Sequence, residues 1–321
     1  MTNPPITIKV LLDQTDLKLS SLTGEIGLSK KVTNAETNRP WLALSGFIER
    51  FSNNRVQVVG ETEMTYLRSL MVKERSQALS LVFEKNIPCL VITKNMELPS
   101  ELVGIAKKNE TTVLRTSLNT DAFLHSLVEY LEPIFAPKTT IHGALVDVYG
   151  VGLLFTGRSG IGKSEAALDL VERGHRLVAD DVVTAYRMRQ GVLMGTSNSV
   201  TQHFMEIRGV GLIDVTTMFG IRSIRMRKRI EVVVNLEDWK DHGDYERTAL
   251  DDKTTNLLDT ELSYVRIPIN PGKNLTVISE VVALRHLLKG VGVNPAAALN
   301  QRLLDTMKET ERTKNRREDY E

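Results

Sequence analysis

The chain has 321 residues, with 41 basic and 40 acidic side chains and a formal net charge of +1. This length exceeds that of a usual single core and predicts two domains. The balanced charge gives no overall attraction to nucleic acid or to an anionic membrane. The one cysteine, Cys89, excludes a disulfide framework within the chain and fits a reducing cytosol. No apolar run approaches the roughly 18 residues of a membrane span, and no secretory signal opens the sequence, so we predict a cytoplasmic protein.

The first 130 or so residues alternate short β-rich runs with helical patterns, which is typical of a small α/β domain with a partly parallel sheet. Two prolines in Glu132–Lys138 follow the last helical pattern and mark its end. We therefore predict an N-terminal α/β domain of unknown role over residues 1–133, a catalytic domain over 134–310, and a charged, disordered tail over 311–321. The predicted strands are Arg55–Val59, Cys89–Ile92 and Thr112–Arg115, and the predicted helices are Glu61–Met71, Lys73–Phe83 and Thr120–Leu131.

The second domain opens with an extended run, Thr139–Val148, followed by a turn at Tyr149–Gly150. His142 lies on this run, about 15 residues before a glycine-rich loop. A lone histidine is more often a satisfied structural residue than a catalytic one, and the residues alone favour the structural reading.

The apolar run Val151–Thr156 leads into Gly157-Arg-Ser-Gly-Ile-Gly-Lys-Ser164, which matches the phosphate-loop pattern G-x-x-x-x-G-K-[ST]. A helical pattern follows it, as the motif requires. Backbone N–H groups of such a loop and the following helix N-terminus converge on an anion. Lys163 is expected to reach the outer phosphates, and the Ser164 hydroxyl is expected to bind Mg²⁺. The sequence therefore predicts a nucleoside triphosphate site.

An apolar run, Arg176–Ala179, ends in two carboxylates, Asp180 and Asp181. Adjacent side chains on extended backbone point to opposite sides, so one carboxylate can face the phosphates while the other supports structure or metal. Asp181 follows Lys163 by 18 residues, which is enough for one helix and the next strand. Since a phosphate-loop kinase needs an acidic group near Mg²⁺ and a base, we favour function over a simple polar turn.

Further along, Met205–Asp214 holds a Glu, an Arg and two glycines in close order. Glu206 is a candidate Mg²⁺ ligand and Arg208 a candidate phosphate contact, but a plain turn before a helix fits equally well. The remaining expected strands are Val182–Arg187, Ile230–Leu236 and Tyr264–Ile267, and the expected helices are Leu212–Phe219 and Ser279–Leu288. Hairpin-like strand pairs around the loop predict a mixed sheet.

Together these segments resemble the HPr kinase/phosphorylase family over nearly the whole chain. The resemblance rests on Asn38–Gly46, Arg55–Thr62, Ile141–Gly143, the phosphate loop, Leu177–Asp181, Met205–Gly220 and Arg266–Ile278. The run Glu206-Ile-Arg-Gly-Val-Gly-Leu-Ile-Asp-Val215 is specific to that family, whereas the phosphate loop is shared by many.

The resemblance implies an enzyme that uses ATP to phosphorylate a seryl hydroxyl of HPr, the phosphocarrier of the bacterial sugar phosphotransferase system. It also implies a phosphorylase in which inorganic phosphate attacks the phosphoserine and pyrophosphate forms. Family members are typically hexamers that control carbon catabolite repression, with fructose 1,6-bisphosphate and phosphate as effectors. Their catalytic domain is similar to phosphoenolpyruvate carboxykinase.

Carried over by motif, the resemblance places ATP on the loop residues Gly157, Arg158, Ser159, Gly160, Ile161, Gly162, Lys163 and Ser164. It implies Mg²⁺ on Ser164 and Glu206, and a catalytic set of His142, Lys163, Asp181 and Arg247. Asp181 is expected to take the seryl proton and to return it in the reverse reaction.

One segment departs from the family pattern. Pro268–Lys273 matches a loop tied to dephosphorylation, which usually carries a basic residue where this chain has Asn270. Losing that cation is expected to weaken the phosphorylase more than the kinase. Two other functions stay open on the residues alone: a phosphate-loop kinase of a small metabolite, and a nucleotide-dependent binding switch.

Overall fold

The computed structural model describes residues 5–198, 202–239, 253–270, 274–293, 298, 301–302 and 304–307. The chain divides into two compact units, Met1–Ala136 and Pro137–Glu321. Each unit has its own sheets and its own core, as in the predicted two-domain α/β fold.

The N-terminal unit is built on a five-stranded sheet of order β2-β7-β6-β5-β4. Strands β4 to β7 run parallel, and β2 pairs antiparallel to β7 at one edge. The strands are β1 (Ile6–Thr7), β2 (Leu19–Ser21), β3 (Lys31–Val32), β4 (Thr37–Asn38), β5 (Val56–Val59), β6 (Cys89–Ile92) and β7 (Thr112–Thr116). The helices are α1 (Ile8–Leu12), α2 (Trp41–Leu44), α3 (Glu61–Ser69), α4 (Val72–Phe83), α5 (Ser100–Lys108) and α6 (Thr120–Phe135).

Strands β5 and β6 are buried along their whole length, which explains why their sequences are mostly apolar rather than alternating. The exception is Gln57 of β5, whose amide donates to the carbonyls of Ser52 and Arg55. One core cluster gathers residues of α2 to α5 against this sheet, and a second gathers residues of α1 and α6. Cys89 lies in the second cluster, where burial raises the pKa of its thiol to about 12. The cysteine is thus a packing residue.

The described part of the C-terminal unit includes twelve strands and the three helices α7 to α9. The strands are β8 (Lys138–His142), β9 (Ala144–Val148), β10 (Val151–Thr156), β11 (Arg176–Ala179), β12 (Val182–Arg187), β13 (Leu193–Thr196), β14 (Phe204–Ile207), β15 (Gly211–Asp214), β16 (Arg227–Arg229), β17 (Val232–Asp238), β18 (Thr254–Leu257) and β19 (Thr260–Ile269). The helices are α7 (Lys163–Glu172), α8 (Val215–Phe219) and α9 (Leu275–Gly290).

These elements form layers around a six-stranded sheet of order β11-β9-β10-β17-β19-β18. The sheet is mixed, as predicted: β10, β17 and β19 are parallel neighbours, whereas β9 and β18 are antiparallel to theirs. One core cluster joins α7 and α9 to this sheet, and another joins it to a four-stranded sheet of order β16-β13-β12-β8. Both faces of the central sheet are therefore covered.

Most predicted elements are confirmed within a few residues, including the turn at Tyr149–Gly150. Both turn residues have positive φ, 52° and 84°, as a two-residue hairpin between β9 and β10 requires. The predicted helix over Leu212–Phe219 is wrong in its first three residues, because residues 211–214 pair with β14 as a strand. The Asp214 carboxylate accepts hydrogen bonds from the N–H groups of Thr216 and Thr217, so α8 begins only at Val215.

Within the described ranges, no helix combines the length and apolar character needed to cross a bilayer.

Candidate active site at the phosphate loop

The site lies at the carboxyl ends of the parallel strands β10, β17 and β19. The phosphate loop follows β10, and Asp238 ends β17 opposite Ile269 at the end of β19. In α/β sheets, ligands bind in the crevice outside these strand ends. The sheet thus brings the loop, Asp238 and the segment before Asn270 to one edge.

The eight predicted cofactor residues form a single strand-to-helix turn, from Gly157 after β10 to Ser164 in the first turn of α7. Ile161 is buried in the core shared by β10 and α7, which anchors the loop from below. The Lys163 Nζ donates hydrogen bonds to the carbonyls of Gly157 and Arg158, both at 3.0 Å. Its ammonium group is therefore held across the first half of the loop, where outer phosphates would sit.

Arg158 points away from the anion site toward β17. Its Nε and Nη2 each donate to the Asp238 carboxylate at 2.7 Å. This ion pair ties the loop to the end of β17 and neutralises the Arg158 charge. Arg158 thus contributes to the loop mainly through its backbone.

Ser164 and Asp180 form the buried contact of the site. The Ser164 hydroxyl donates to Asp180 Oδ1 at 3.0 Å. Burial raises the pKa of Asp180 from 3.8 to about 6, while the hydrogen bond from Ser164 acts in the opposite direction. A hydroxyl and a carboxylate side by side beneath the loop are hard oxygen donors of the kind Mg²⁺ prefers.

Asp181 occupies a strained turn between β11 and β12. Its φ is 64°, and the Val182 N–H donates to the Asp180 carbonyl at 2.8 Å, so the turn is closed across one residue. Such backbone is costly for a side chain other than glycine and clusters at functional sites. The turn sends the two carboxylates into different surroundings, with Asp180 buried and the Asp181 side chain 84% exposed.

His142 lies beside Asp181 although its strand, β8, belongs to the four-stranded sheet. The His142 Nδ1 is 4.0 Å from Asp181 Oδ1. The adjacent Gly143 N–H donates to the Asp181 carbonyl at 3.0 Å, and a methyl group at Gly143 would lie only 2.3 Å from the Phe155 carbonyl oxygen. Glycine at 143 therefore permits the close crossing that brings His142 to the site.

Glu206 and Arg208 belong to the hairpin of β14 and β15, which packs on the same core as the loop through Met205 and Ile213. The Glu206 side chain is exposed, and no hydrogen bond or ion pair joins it to Ser164 in the part of the chain that is described. Its assignment to Mg²⁺ stays a prediction. Arg247 lies outside the described residues, as do Pro271 to Lys273.

Asp238 could not be found from the sequence, because its role depends on the pairing of β17 with β10. Asp180 had a signal: it directly continues the apolar run of β11, which favours burial of the first carboxylate rather than the second. Among the described residues, no group of three or more His, Cys, Asp or Glu side chains is placed to hold a metal. That finding is compatible with Mg²⁺, which is usually bound by one or two protein groups together with phosphate oxygens.

Comparison with known proteins gives the same assignment for both units. Residues 6–131 match the family model "HPr Serine kinase N terminus", and residues 133–303 match "HPr Serine kinase C-terminal domain". The chain is 45% identical over 293 residues to an HPr kinase/phosphorylase of Chloroherpeton thalassium, covering 91% of this chain and 86% of that one. It is 40% identical over 304 residues to one from Bacillus cereus, covering 95% and 98%.

A solved structure, the HPr(Ser) kinase/phosphatase from Coxiella burnetii, is 31% identical, covers 48% of this chain and 93% of its own, and superimposes with a TM-score of 0.45. The two family models together span most of the chain. The two curated relatives share 45% and 40% sequence identity with it over at least nine-tenths of its length. The resemblance found in the sequence is thus confirmed, and the chain belongs to the HPr serine kinase family.

Proposed function

We propose that this protein transfers the γ-phosphoryl group of ATP to a seryl hydroxyl of HPr. We also propose that it removes the group again with inorganic phosphate, releasing pyrophosphate. The observation that carries the proposal is the meeting of a phosphate loop with two differently placed carboxylates at one strand edge. Membership of the family and the names of its relatives support HPr as the substrate.

In the forward direction, the serine oxygen bonds to the γ-phosphorus while the bond to the ADP oxygen breaks. Asp181 is exposed and suited to take the seryl proton, with His142 at its side. Lys163 and the loop amides supply positive potential to the phosphates. Mg²⁺ would neutralise phosphate charge when bound, and Ser164 and Asp180 would hold it.

In the reverse direction, an oxygen of inorganic phosphate attacks the phosphoserine phosphorus. The P–O bond to serine breaks, and Asp181 returns a proton to the serine oxygen. The same charges stabilise both directions because the transferred group occupies the same place. Under this proposal the protein regulates carbon catabolite repression, and its cytoplasmic location and homohexameric state stay predictions.

The test is intact-mass measurement of purified HPr incubated with this protein, ATP and Mg²⁺, with Lys163→Ala as the inactive control. We expect HPr to gain one phosphoryl group, and to lose it with pyrophosphate release after phosphate is added. No gain would favour the kinase of a small metabolite. Steady ADP formation without any acceptor would favour the binding switch.

A further inference from the structure

The hairpin of β14 and β15 places its tip over the phosphate loop. Its turn spans Ile207 to Gly211, with the Val210 N–H donating to the Ile207 carbonyl at 3.1 Å. Gly209 supplies the positive φ of 81° that the turn needs. Because Met205 shares a core with Ile161 of the loop, the hairpin and the loop are fixed to the same support.

Arg208, at this tip, lies against Gly160 of the loop. A methyl group built on Gly160 would come within 2.8 Å of both Nη atoms and 3.0 Å of Cζ of Arg208. The guanidinium therefore lies over the loop at Gly160, whose positive φ of 73° favours glycine there.

The two arginines at the loop differ in charge compensation. Arg158 is held by two hydrogen bonds to Asp238, whereas Arg208 is exposed and has no hydrogen-bond or ion-pair partner in the ranges that the structure describes. An unpaired guanidinium held on an anion-binding loop adds positive potential where phosphate binds. Its planar fork suits two phosphate oxygens.

We propose that Arg208 binds the outer phosphates from the hairpin tip and so favours a triphosphate over a diphosphate. The Lys163 ammonium marks the end of the loop where the β- and γ-phosphates sit, and Gly160 lies within three residues of the carbonyls that hold it. Arg208 approaches this end from a separate element, whereas the helix N-terminus serves the inner phosphates. The inference rests on the proposed function only in requiring that the loop bind a nucleotide.

The experiment measures binding of ATP, ADP and pyrophosphate, each with Mg²⁺, by isothermal titration calorimetry. The variants are Arg208→Ala, Arg208→Lys and, as a matched control, Arg222→Ala. Arg222 is exposed on the turn after α8, so Arg222→Ala also removes one positive charge, but away from the loop. HPr is absent, so failure to phosphorylate HPr does not affect the result.

We expect Arg208→Ala to weaken ATP binding about tenfold or more, as for a lost hydrogen bond to a charged group, and ADP binding by less than about threefold. The ATP affinity of Arg208→Lys should lie between those of the wild type and Arg208→Ala, because lysine keeps the positive charge but lacks the planar guanidinium group. Arg222→Ala should bind like the wild type. The proposal would be overturned if Arg208→Ala weakened ATP binding and ADP binding equally. It would also be overturned if Arg208→Ala and Arg208→Lys both folded and bound ATP like the wild type.

Discussion

Asp180 and Asp181 show how two adjacent and identical side chains acquire different chemistry. The positive φ at Asp181 turns the chain so that Asp180 is buried against Ser164 while Asp181 stays in solvent beside His142. A buried carboxylate beneath the loop suits a metal ligand, and an exposed one suits exchange of a proton with an arriving protein. Each residue therefore has its own prediction.

Asp181→Asn is expected to lower phosphoryl transfer to HPr by about 10²- to 10⁴-fold, because a positioned general base is lost. ATP binding should be retained, since the Asp181 carboxylate faces away from the buried Ser164 contact. Single-turnover transfer and nucleotide titration on the same preparation measure the two effects. Transfer at the wild-type rate would move the base to another residue, with Asp180 the first to test.

Asp180→Asn is expected to stabilise the protein at neutral pH in the absence of Mg²⁺ and nucleotide. Folding raises the pKa of Asp180 from 3.8 to about 6. The contribution of this carboxyl group to the free energy of unfolding is therefore complete below pH 3.8 and is lost as the pH rises through 6. Above pH 6, the buried charge of the wild type lowers the free energy of unfolding by about 3 kcal/mol. Asparagine carries no charge and can still accept the hydrogen bond from Ser164.

Thermal unfolding at pH 5 and pH 8 checks this prediction. The gain of Asp180→Asn over the wild type should be roughly half as large at pH 5 as at pH 8. A gain that does not change with pH would mean that Asp180 keeps an ordinary pKa in the folded protein.

At the scale of elements, α7 and α9 are joined by a polar cluster at the end of α7. Glu280 of α9 accepts from Arg173 Nε and Nη2, both at 2.8 Å, and lies 3.1 Å from His175 Nε2. Tyr149 packs edge-on against His175, with ring centroids 4.7 Å apart. The cluster fixes α9 beside the helix that carries Lys163 and Ser164.

Glu280→Gln is expected to destabilise the protein by about 2 kcal/mol at pH 7, as for loss of charged hydrogen bonds. Arg173 lowers the pKa of Glu280 from 4.5 to about 2, so the contribution is present above pH 4.5 and is lost as the pH falls through 2. Urea unfolding should show a smaller difference at pH 3.5 than at pH 7. Glu172→Gln, exposed at the end of α7, is the control and should change stability by less than about 0.5 kcal/mol.

Elements with their own local signals were predictable from sequence, and elements defined by distant pairing were not. Apolar runs gave β5, β6 and β10, and helical periodicity gave α4 and the start of α6. The β14–β15 hairpin was missed because its alternation is short and its glycines also suit a plain turn, so its second strand was assigned to α8. Helix α5 was missed as well, since it is short and has Gly104, a poor helix former, in its middle.

At the scale of the whole molecule, the site is assembled from segments far apart in the chain. His142, the loop, Asp181 and Asp238 span almost 100 residues, and their meeting depends on strand order in two sheets. The motifs supplied the residue types of the site, but only the topology shows that β8 pairs with β12 and so brings His142 to Asp181.

The segment at Asn270 is expected to affect the balance between the two proposed activities, kinase and phosphorylase. Asn270 follows β19, and Ile269 beside it lines an open groove of about 760 Å³ together with Ile161 and Gly162 of the loop. The acidic side chains of Glu165, Asp169 and Glu172 also line this groove, as does Arg173, which is paired with Glu280. Asn270 adds no positive charge to this setting, and a cation at that position would help the segment hold phosphate or phosphoserine.

Asn270→Arg is therefore expected to raise the phosphorylase rate about two- to fivefold, the range of a partly exposed charge interaction, and to leave the kinase rate nearly unchanged. Pyrophosphate release from phosphorylated HPr and ATP-dependent phosphorylation of HPr measure the two rates separately. Asn256→Arg, exposed on β18, adds the same charge away from the loop and should alter neither. An equal rise in both rates would show that the cation acts on the shared phosphate site, whereas a rise in the phosphorylase alone would assign the segment after β19 to the reverse reaction.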